Sequence, residues 1–322
     1  MAGSRVALTW LGFFEYVTGE QPLWTMKTFV YLVALLAFAR PSYSQQPLPG
    51  GDPAPWDALL KEFVNAQHRV DYARFKREGS GRLKDYTTTL AQVGNQPLSA
   101  DQEKALLINA YNAFTVQWVL DNYPIESIWS TSAPFTEARH RLGGKRVSLD
   151  QIESQLRVMG DPRIHAALVC ASRSCPPLRR QAYVAERLGE QLDDNVRQWL
   201  ADRSLNTFDP DHAHADVSPI FKWYASDFGS YPAGLEGFLP QYAPPDVKGG
   251  LGERKFQIRF KDYDWGLNDQ SRFGTEYSRL RFAVDCVRNW FWATGILRQV
   301  NDSQASPLIQ IENGDVQQEE EL

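Results

Sequence analysis

Apolar residues recur at helical spacing along much of this chain. Trp56, Leu59, Leu60, Phe63, Val64 and Val70 predict a first helical stretch, and residues 86–93 predict a short second helix with Leu90 and Val93 inward. The clearest helix opens at Ser99, where Gln102 three residues later completes a capping box that satisfies two amides left over at a helix start; it runs to about residue 122, ahead of Pro124. Leu107, Ala110, Tyr111, Phe114, Val116, Trp118 and Val119 cover more than one of its faces, so most of it is expected to be buried. Ser148 and Gln151 repeat the capping logic, and Leu149, Ile152 and Leu156 fall on a common side. A further amphipathic helix is traced by Val184, Leu188, Leu192, Val196, Trp199 and Leu200.

Other stretches depart from that period. Residues 163–171 have no polar face and predict a buried strand, in which His165 and Cys170 would point to opposite sides. Ser172-Arg-Ser174 is turn-like and would bring Cys175 back toward His165, with Pro176 and Pro177 stiffening the exit. Residues 206–215 are polar and predict a loop. Ser218 as N-cap, Pro219 at the first helical position and Gly229 as stop predict a helix over 219–228. Strict alternation over 256–260 predicts a half-buried strand. These elements predict an α+β fold, with helices packed around a small mixed or antiparallel sheet.

The two ends differ from the middle. Met26-Lys27 precedes an uncharged apolar run over residues 28–39, followed by the small-x-small pattern Ser42-Tyr-Ser44, which predicts an export signal with Met26 as the start. The run falls short of the ~20 apolar residues a spanning helix needs. The expected organisation is an extension plus signal over 1–44, a proline- and glycine-rich linker over 45–55, a folded domain over 56–268, and a C-terminal helix with an acidic tail over 269–322. In that last helix Leu280, Ala283, Val287, Trp290, Phe291 and Leu297 lie near one face and are expected to dock, while Arg279, Arg281, Asp285, Arg288 and Arg298 exclude a membrane span. The tail 317–322 is expected to be disordered. The expected location is secreted or periplasmic.

Composition narrows the partners. A chain of 322 residues, 43% hydrophobic and 23% charged, can bury a sizeable core. Its formal net charge of -5 offers no basic field for phosphate, so nucleic acid is not an expected partner. A small molecule or a peptide fits better. The Cys count of 3 is odd, so the thiols cannot all pair within the chain.

Candidate chemistry concentrates in one stretch, where His165, Cys170 and Cys175 lie within Arg163-Ile-His-Ala-Ala-Leu-Val-Cys-Ala-Ser-Arg-Ser-Cys-Pro-Pro177. Imidazole is suited to deprotonate a thiol near neutral pH, and the thiolate is the reactive form. Cys175 is the expected nucleophile, His165 its base, and Glu153 or Asp227 the carboxylate that orients the ring. Glu153 has a rival role, since Arg157 four residues on suits an exposed ion pair. Asn109 and Asn112 interrupt a buried helix face and need partners, either neighbouring loops or the thiol site. Lys222 and Asp227 sit among aromatic residues that could desolvate either charge; structural pairing is the favoured reading, and the rival makes Lys222 a candidate binding residue, with Cys170 another. His212 and His214 form an H-x-H pair lacking the companions a metal site needs, so neither metal nor cofactor is expected.

Six motifs in order carry a family resemblance: Asn109-Ala-Tyr-Asn112, Ser148-Leu-Asp-Gln-Ile-Glu153, Arg163-Ile-His165, Ser174-Cys-Pro-Pro177, Phe221-Lys-Trp-Tyr224 with Asp227-Phe228, and Tyr263-Asp-Trp265. Over about residues 56–268 the chain resembles the DUF547 family, a domain of unknown function. In that pattern a histidine often follows the glutamate equivalent to Glu153; here the position is Ser154. The resemblance implies a bacterial secreted or envelope protein with a fold similar to papain- and transglutaminase-like thiol enzymes, and it implies no particular reaction. Three readings stand: a thiol enzyme acting on an acyl group, amide or peptide; a thiol and disulfide redox protein; and a non-enzymatic envelope protein in which Cys170 and Cys175 form a structural disulfide.

Overall fold

Two capping boxes start the helices that frame the molecule's centre. In the computed structural model, residues 51–229, 233–247, 257–271 and 277–295 are described. The expected signal, residues 45–50 of the linker and the acidic tail lie outside them. Helix α1 (Ala54–Phe63) ends where Val64 turns away to form an isolated bridge with Val70, so the apolar pattern through Val70 is not one helix. Helix α2 (Tyr72–Glu78) follows, capped by Asp71, whose carboxylate accepts from the Arg74 amide. Helix α3 (Ser80–Leu90) begins six residues before the expected start at Tyr86, with Leu83, Tyr86 and Leu90 buried.

Helix α4 (Ala100–Asn122) has the predicted box: the Gln102 amide donates to Ser99 Oγ, and the Ser99 amide donates to Gln102 Oε1. Its apolar residues surround the axis, and Leu107, Ile108, Ala110, Ala113 and Val119 are fully enclosed, which makes it the central helix of the first core. Strands β1 (His140–Leu142) and β2 (Lys145–Val147) form an antiparallel hairpin that the hydrophobic pattern does not announce. Its connection is Gly143-Gly144, with φ of 54° and 76°, the backbone a two-residue hairpin with right-handed twist demands. Helix α5 (Leu149–Val158) then starts on the second box, Ser148 with Gln151.

The predicted strand over 163–171 is absent. Asp161 and Pro162 instead nucleate a turn: the Arg163 amide donates to Asp161 Oδ1, and the next two amides donate to the Asp161 and Pro162 carbonyls. The chain continues as the one-turn helix α6 (Ile164–Ala167). A short apolar run lacking a polar face suits a buried helical turn as well as a buried strand, and local hydrogen bonding decided between them. A 3-10 turn (Ala185–Arg187) leads into α7 (Leu188–Ala201), the predicted amphipathic helix.

Residues expected to be loop form strands β3 (Thr207–Asp209) and β4 (His214–Val217), an antiparallel pair; β5 (Gln257–Phe260) joins β4 in parallel, giving a mixed sheet in the order β3-β4-β5. In β5 Ile258 and Phe260 are half-buried while Gln257 and Arg259 are exposed, as alternation requires. The predicted helix over 219–228 is split at Tyr224 into α8 (Ile220–Trp223) and a 3-10 turn (Ala225–Phe228), which Gly229 ends at φ 100°. Helix α9 (Ala233–Tyr242) closes over a second core containing Val196, Trp199, Phe221 and Phe238. The whole is an α+β fold.

On helix α10 (Arg279–Gly295) the described part of the expected apolar face is turned to solvent, while the Trp290, Phe291 and Leu297 side chains of that face lie outside the described residues. Leu280 is 77% and Val287 55% exposed, whereas Asp285 and Asn289 are buried. The reason is polar: Asp285 accepts from Ser130 Oγ and Tyr277 Oη, while Asn289 accepts the Ala133 amide and donates to the Trp129 carbonyl. Those amides and hydroxyls would be costly to bury unpaired. Cys286 is half-buried beside them. Among the described residues no helix is long and apolar enough to cross a membrane.

Candidate functional site

His165 is held by groups from two distant segments. On α6 it is buried, stacked on Tyr224 with ring centroids 4.2 Å apart and flanked by Phe228 at 5.5 Å. Its Nε2 lies 2.8 Å from Asp227 Oδ2. Asp227 is gripped from the other side by Arg157 of α5, through Nε to Oδ2 at 2.6 Å and Nη2 to Oδ1 at 2.9 Å. That two-pronged contact, with the imidazole as a second partner, holds the Asp227 carboxyl well below the usual carboxylate range. An ionised Asp227 only accepts, so Nε2 carries the ring proton and Nδ1 keeps its lone pair. Burial pulls the His165 pKa below its ordinary value, while Asp227 partly offsets this. A neutral, oriented imidazole results.

The sulfurs line the same cleft as His165 after a chain reversal. Asn112 fixes the start, donating to the Ala167 carbonyl at 2.9 Å and accepting the Val169 amide at 2.9 Å. Ala171 adopts φ 63°, a left-handed conformation that turns the backbone, and a turn closes as the Cys175 amide donates to the Ser172 carbonyl. The loop is pinned from outside by residues 264–268: the Arg173 amide donates to the Gly266 carbonyl, and the Asn268 amide to Ala171. Cys170 and Cys175 thereby stand at disulfide distance, with Cα atoms 6.3 Å apart.

Cys175 Sγ collects polar hydrogens. The Cys170 amide nitrogen is 3.0 Å away, Ser172 Oγ 3.3 Å and Tyr263 Oη 3.4 Å. Ser172 and Tyr263 are themselves 2.9 Å apart and also reach Cys170 Sγ, at 3.4 and 3.3 Å, and each carries a single proton, so the two hydroxyls share their donations among one another and both sulfurs. Burial keeps Tyr263 protonated far above neutrality.

His165, Cys170 and Cys175 open onto one cleft of about 380 Å³. Seven aromatic side chains line it: Tyr111, Trp129, Phe135, Trp223, Tyr224, Tyr263 and Trp265. Trp223 and Trp265 stack 5.8 Å apart at 11°, and Trp129 meets Trp265 edge-on at 5.5 Å and 88°. The polar lining includes Thr136, Asp150 and Glu153. Glu153 is half-buried; desolvation raises its carboxyl pKa, against a hydrogen bond with Tyr224.

The remaining candidate residues lie elsewhere. The ion pair suggested for Glu153 and Arg157 gives way to Arg157 with Asp227, which leaves Glu153 in the cleft. Asn109 exchanges two hydrogen bonds with the Tyr183 backbone, at 2.8 and 2.9 Å, and so ties down main chain outside the cleft, while Asn112 holds the backbone on either side of the cleft residue Leu168. Lys222 is exposed, 5.9 Å from the Phe260 ring, and does not line the cleft. His212 bonds Asp209 at the exposed end of the β3–β4 hairpin. Among the described residues no group of three or more His, Cys, Asp or Glu is arranged to hold a metal ion. Ser172, Tyr224 and Tyr263 were given no role from sequence; the last two stand within quoted motifs, which was the available signal.

Residues 95–200 match the family model DUF547, described as a protein of unknown function. Four of the six motifs, from Asn109-Ala-Tyr-Asn112 to Ser174-Cys-Pro-Pro177, fall within that match, while the motifs at 221–228 and 263–265 lie beyond it. Neither a curated protein nor a solved structure matches the chain. The implied likeness to papain- and transglutaminase-like folds thus has no matching structure behind it.

Proposed function

We propose that this DUF547-matching chain is a thiol-dependent enzyme that acts on an acyl group, amide or peptide when Cys170 and Cys175 are reduced. The observation that carries this reading is the opening of Cys175, ringed by hydrogen-bond donors, and of His165, oriented by Asp227, onto one aromatic-walled cleft. Nδ1 of His165 takes the Cys175 proton, and the thiolate attacks the carbonyl carbon. As the tetrahedral intermediate collapses, the carbon–sulfur bond remains and the bond to the leaving group breaks. The imidazolium returns its proton to that leaving group, and water then releases the acyl group by the same base catalysis. Asp227 keeps the tautomer and stabilises the imidazolium. The chain is read as exported, on the apolar run over residues 28–39.

The test is alkylation of the reduced protein with a neutral haloacetamide, followed by peptide mapping. Fast, pH-dependent labelling at Cys175, lost in His165→Ala, supports the reading. Labelling of Cys175 no faster than of a free thiol, indifferent to His165, would sink it.

One observation favours a second reading. The Cys170–Cys175 pair at disulfide distance suits a redox protein that exchanges disulfides with a small thiol. Equilibration against glutathione buffers separates the two: a redox protein interconverts within the cellular range of poise, whereas the enzyme reading requires turnover of an acyl substrate by the dithiol form.

A further inference from the structure

We infer that the cleft selects a substrate carrying an organic ammonium group, held against the Trp129–Trp223–Trp265 corner with Glu153 as its counter-charge. This rests on the cleft described above and names what enters it. Trp223 stacks nearly parallel on Trp265, whose ring also stacks on Phe282 at 5.3 Å, and Trp129 stands at right angles to Trp265, so the corner of an aromatic cage stands in the cleft wall before any ligand arrives. The negative face of each ring attracts a cation, most strongly for tryptophan. Trp223 is 49% exposed, which leaves the cage open at its rim.

Charge in the lining points the same way. Asp150 and Glu153 both line the cleft from the first turn and a half of α5, and no Lys or Arg does among the described residues. The nearest guanidinium, Arg157, is committed to Asp227. The amino end of α5 would otherwise draw an anion; carboxylates stand there instead. Burial raises the Glu153 carboxyl pKa against a hydrogen bond from Tyr224 and the weaker pull of Arg157, whose own bonds go to Asp227, so an incoming ammonium would bring Glu153 a cation of its own. A carboxylate or phosphate ligand would meet like charge in a desolvated setting, which costs affinity.

The experiment uses the full-length protein and does not depend on the thiol. Choline and its uncharged isostere 3,3-dimethylbutan-1-ol are titrated against tryptophan fluorescence. Saturable quenching by choline at least about tenfold tighter than by the isostere is expected, as cation attraction to desolvated rings implies. Glu153→Gln and, separately, Trp223→Ala, whose ring stands at the exposed rim, should each narrow that ratio several-fold. Equal affinity for the two probes, binding of neither, or a ratio unmoved by both substitutions would overturn the inference. Because no step uses sulfur, a failed alkylation test with choline selectivity intact would remove the thiol mechanism alone. Proper alkylation without choline selectivity would remove only the ammonium preference.

Discussion

The imidazole of His165 and the carboxylate of Asp227, 62 residues apart in sequence, meet at 2.8 Å, with Arg157 holding the carboxylate from behind. Asp227→Asn should therefore slow Cys175 alkylation by about 10²-fold, the scale of a lost base or its orienter. Its charge also supports the His165 pKa, so the acid limb of the rate should move to lower pH in the variant. A rate loss with an unmoved limb would argue against orientation by Asp227.

In the native protein the sign of that pH dependence is set by burial. The His165 pKa lies below the ordinary 6.5, so the neutral base persists as pH falls through that value and the acid limb of the alkylation rate should fall below 6.5. An inflection above 7 would contradict this placement of the ring.

Stability carries the Asp227 signature too. Its folded pKa is depressed below the ordinary 3.8, so its contribution is complete above that value and lost as pH falls toward the folded pKa. Urea unfolding of the native protein and of Asp227→Asn should differ by about 2 kcal/mol near neutrality, as expected for hydrogen bonds to a charged group, and converge in acid. Arg157 is partly exposed, which keeps the figure modest. A difference that does not shrink in acid would count against this account.

Asn112 joins the buried Ala167 carbonyl to the buried Val169 amide. Asn112→Ala leaves both without their partner and should cost about 3 kcal/mol in urea unfolding. Because those groups flank α6 and the path to Cys170, alkylation should also lose its dependence on His165.

Cys170→Ser removes the partner of Cys175 while leaving the Cys170 amide in place. Under air, this variant should be alkylated at Cys175 without prior reductant, whereas the native protein should need it. Equal reactivity of both without reductant would show that the pair stays open.

Local chemistry made part of this structure legible. Ser99 with Gln102 and Ser148 with Gln151 announce helix starts because each cap is complete within four residues. His165, Cys175, Glu153 and Asp227 could be singled out by residue type and motif. Their geometry could not, since a run such as Ile164 to Val169 is equally apolar as strand or helical turn, and the Asp161 bonds that decide it are a matter of a few ångströms. The donors at Cys175 were harder still: Tyr263 arrives from 88 residues away, on a segment whose pairing with the cysteine loop no periodicity encodes. On the described part of α10 the apolar stripe misled at Leu280 and Val287, because Asp285 and Asn289 had more to gain from hydrogen bonds to the 130–133 loop than those two side chains had from leaving water.

Helix α6 answers to both cores at once: Ile164 and Ala167 belong to the first, and Ala166 to the second. An excised piece spanning 95–200 would still encode the imidazole and both sulfurs, yet would omit Asp227, Tyr224 and Tyr263. Such a fragment would keep the imidazole and the sulfurs and lose the groups that aim them, so a chain truncated after α7 should show no His165-dependent alkylation of Cys175 even though His165, Cys170 and Cys175 are retained.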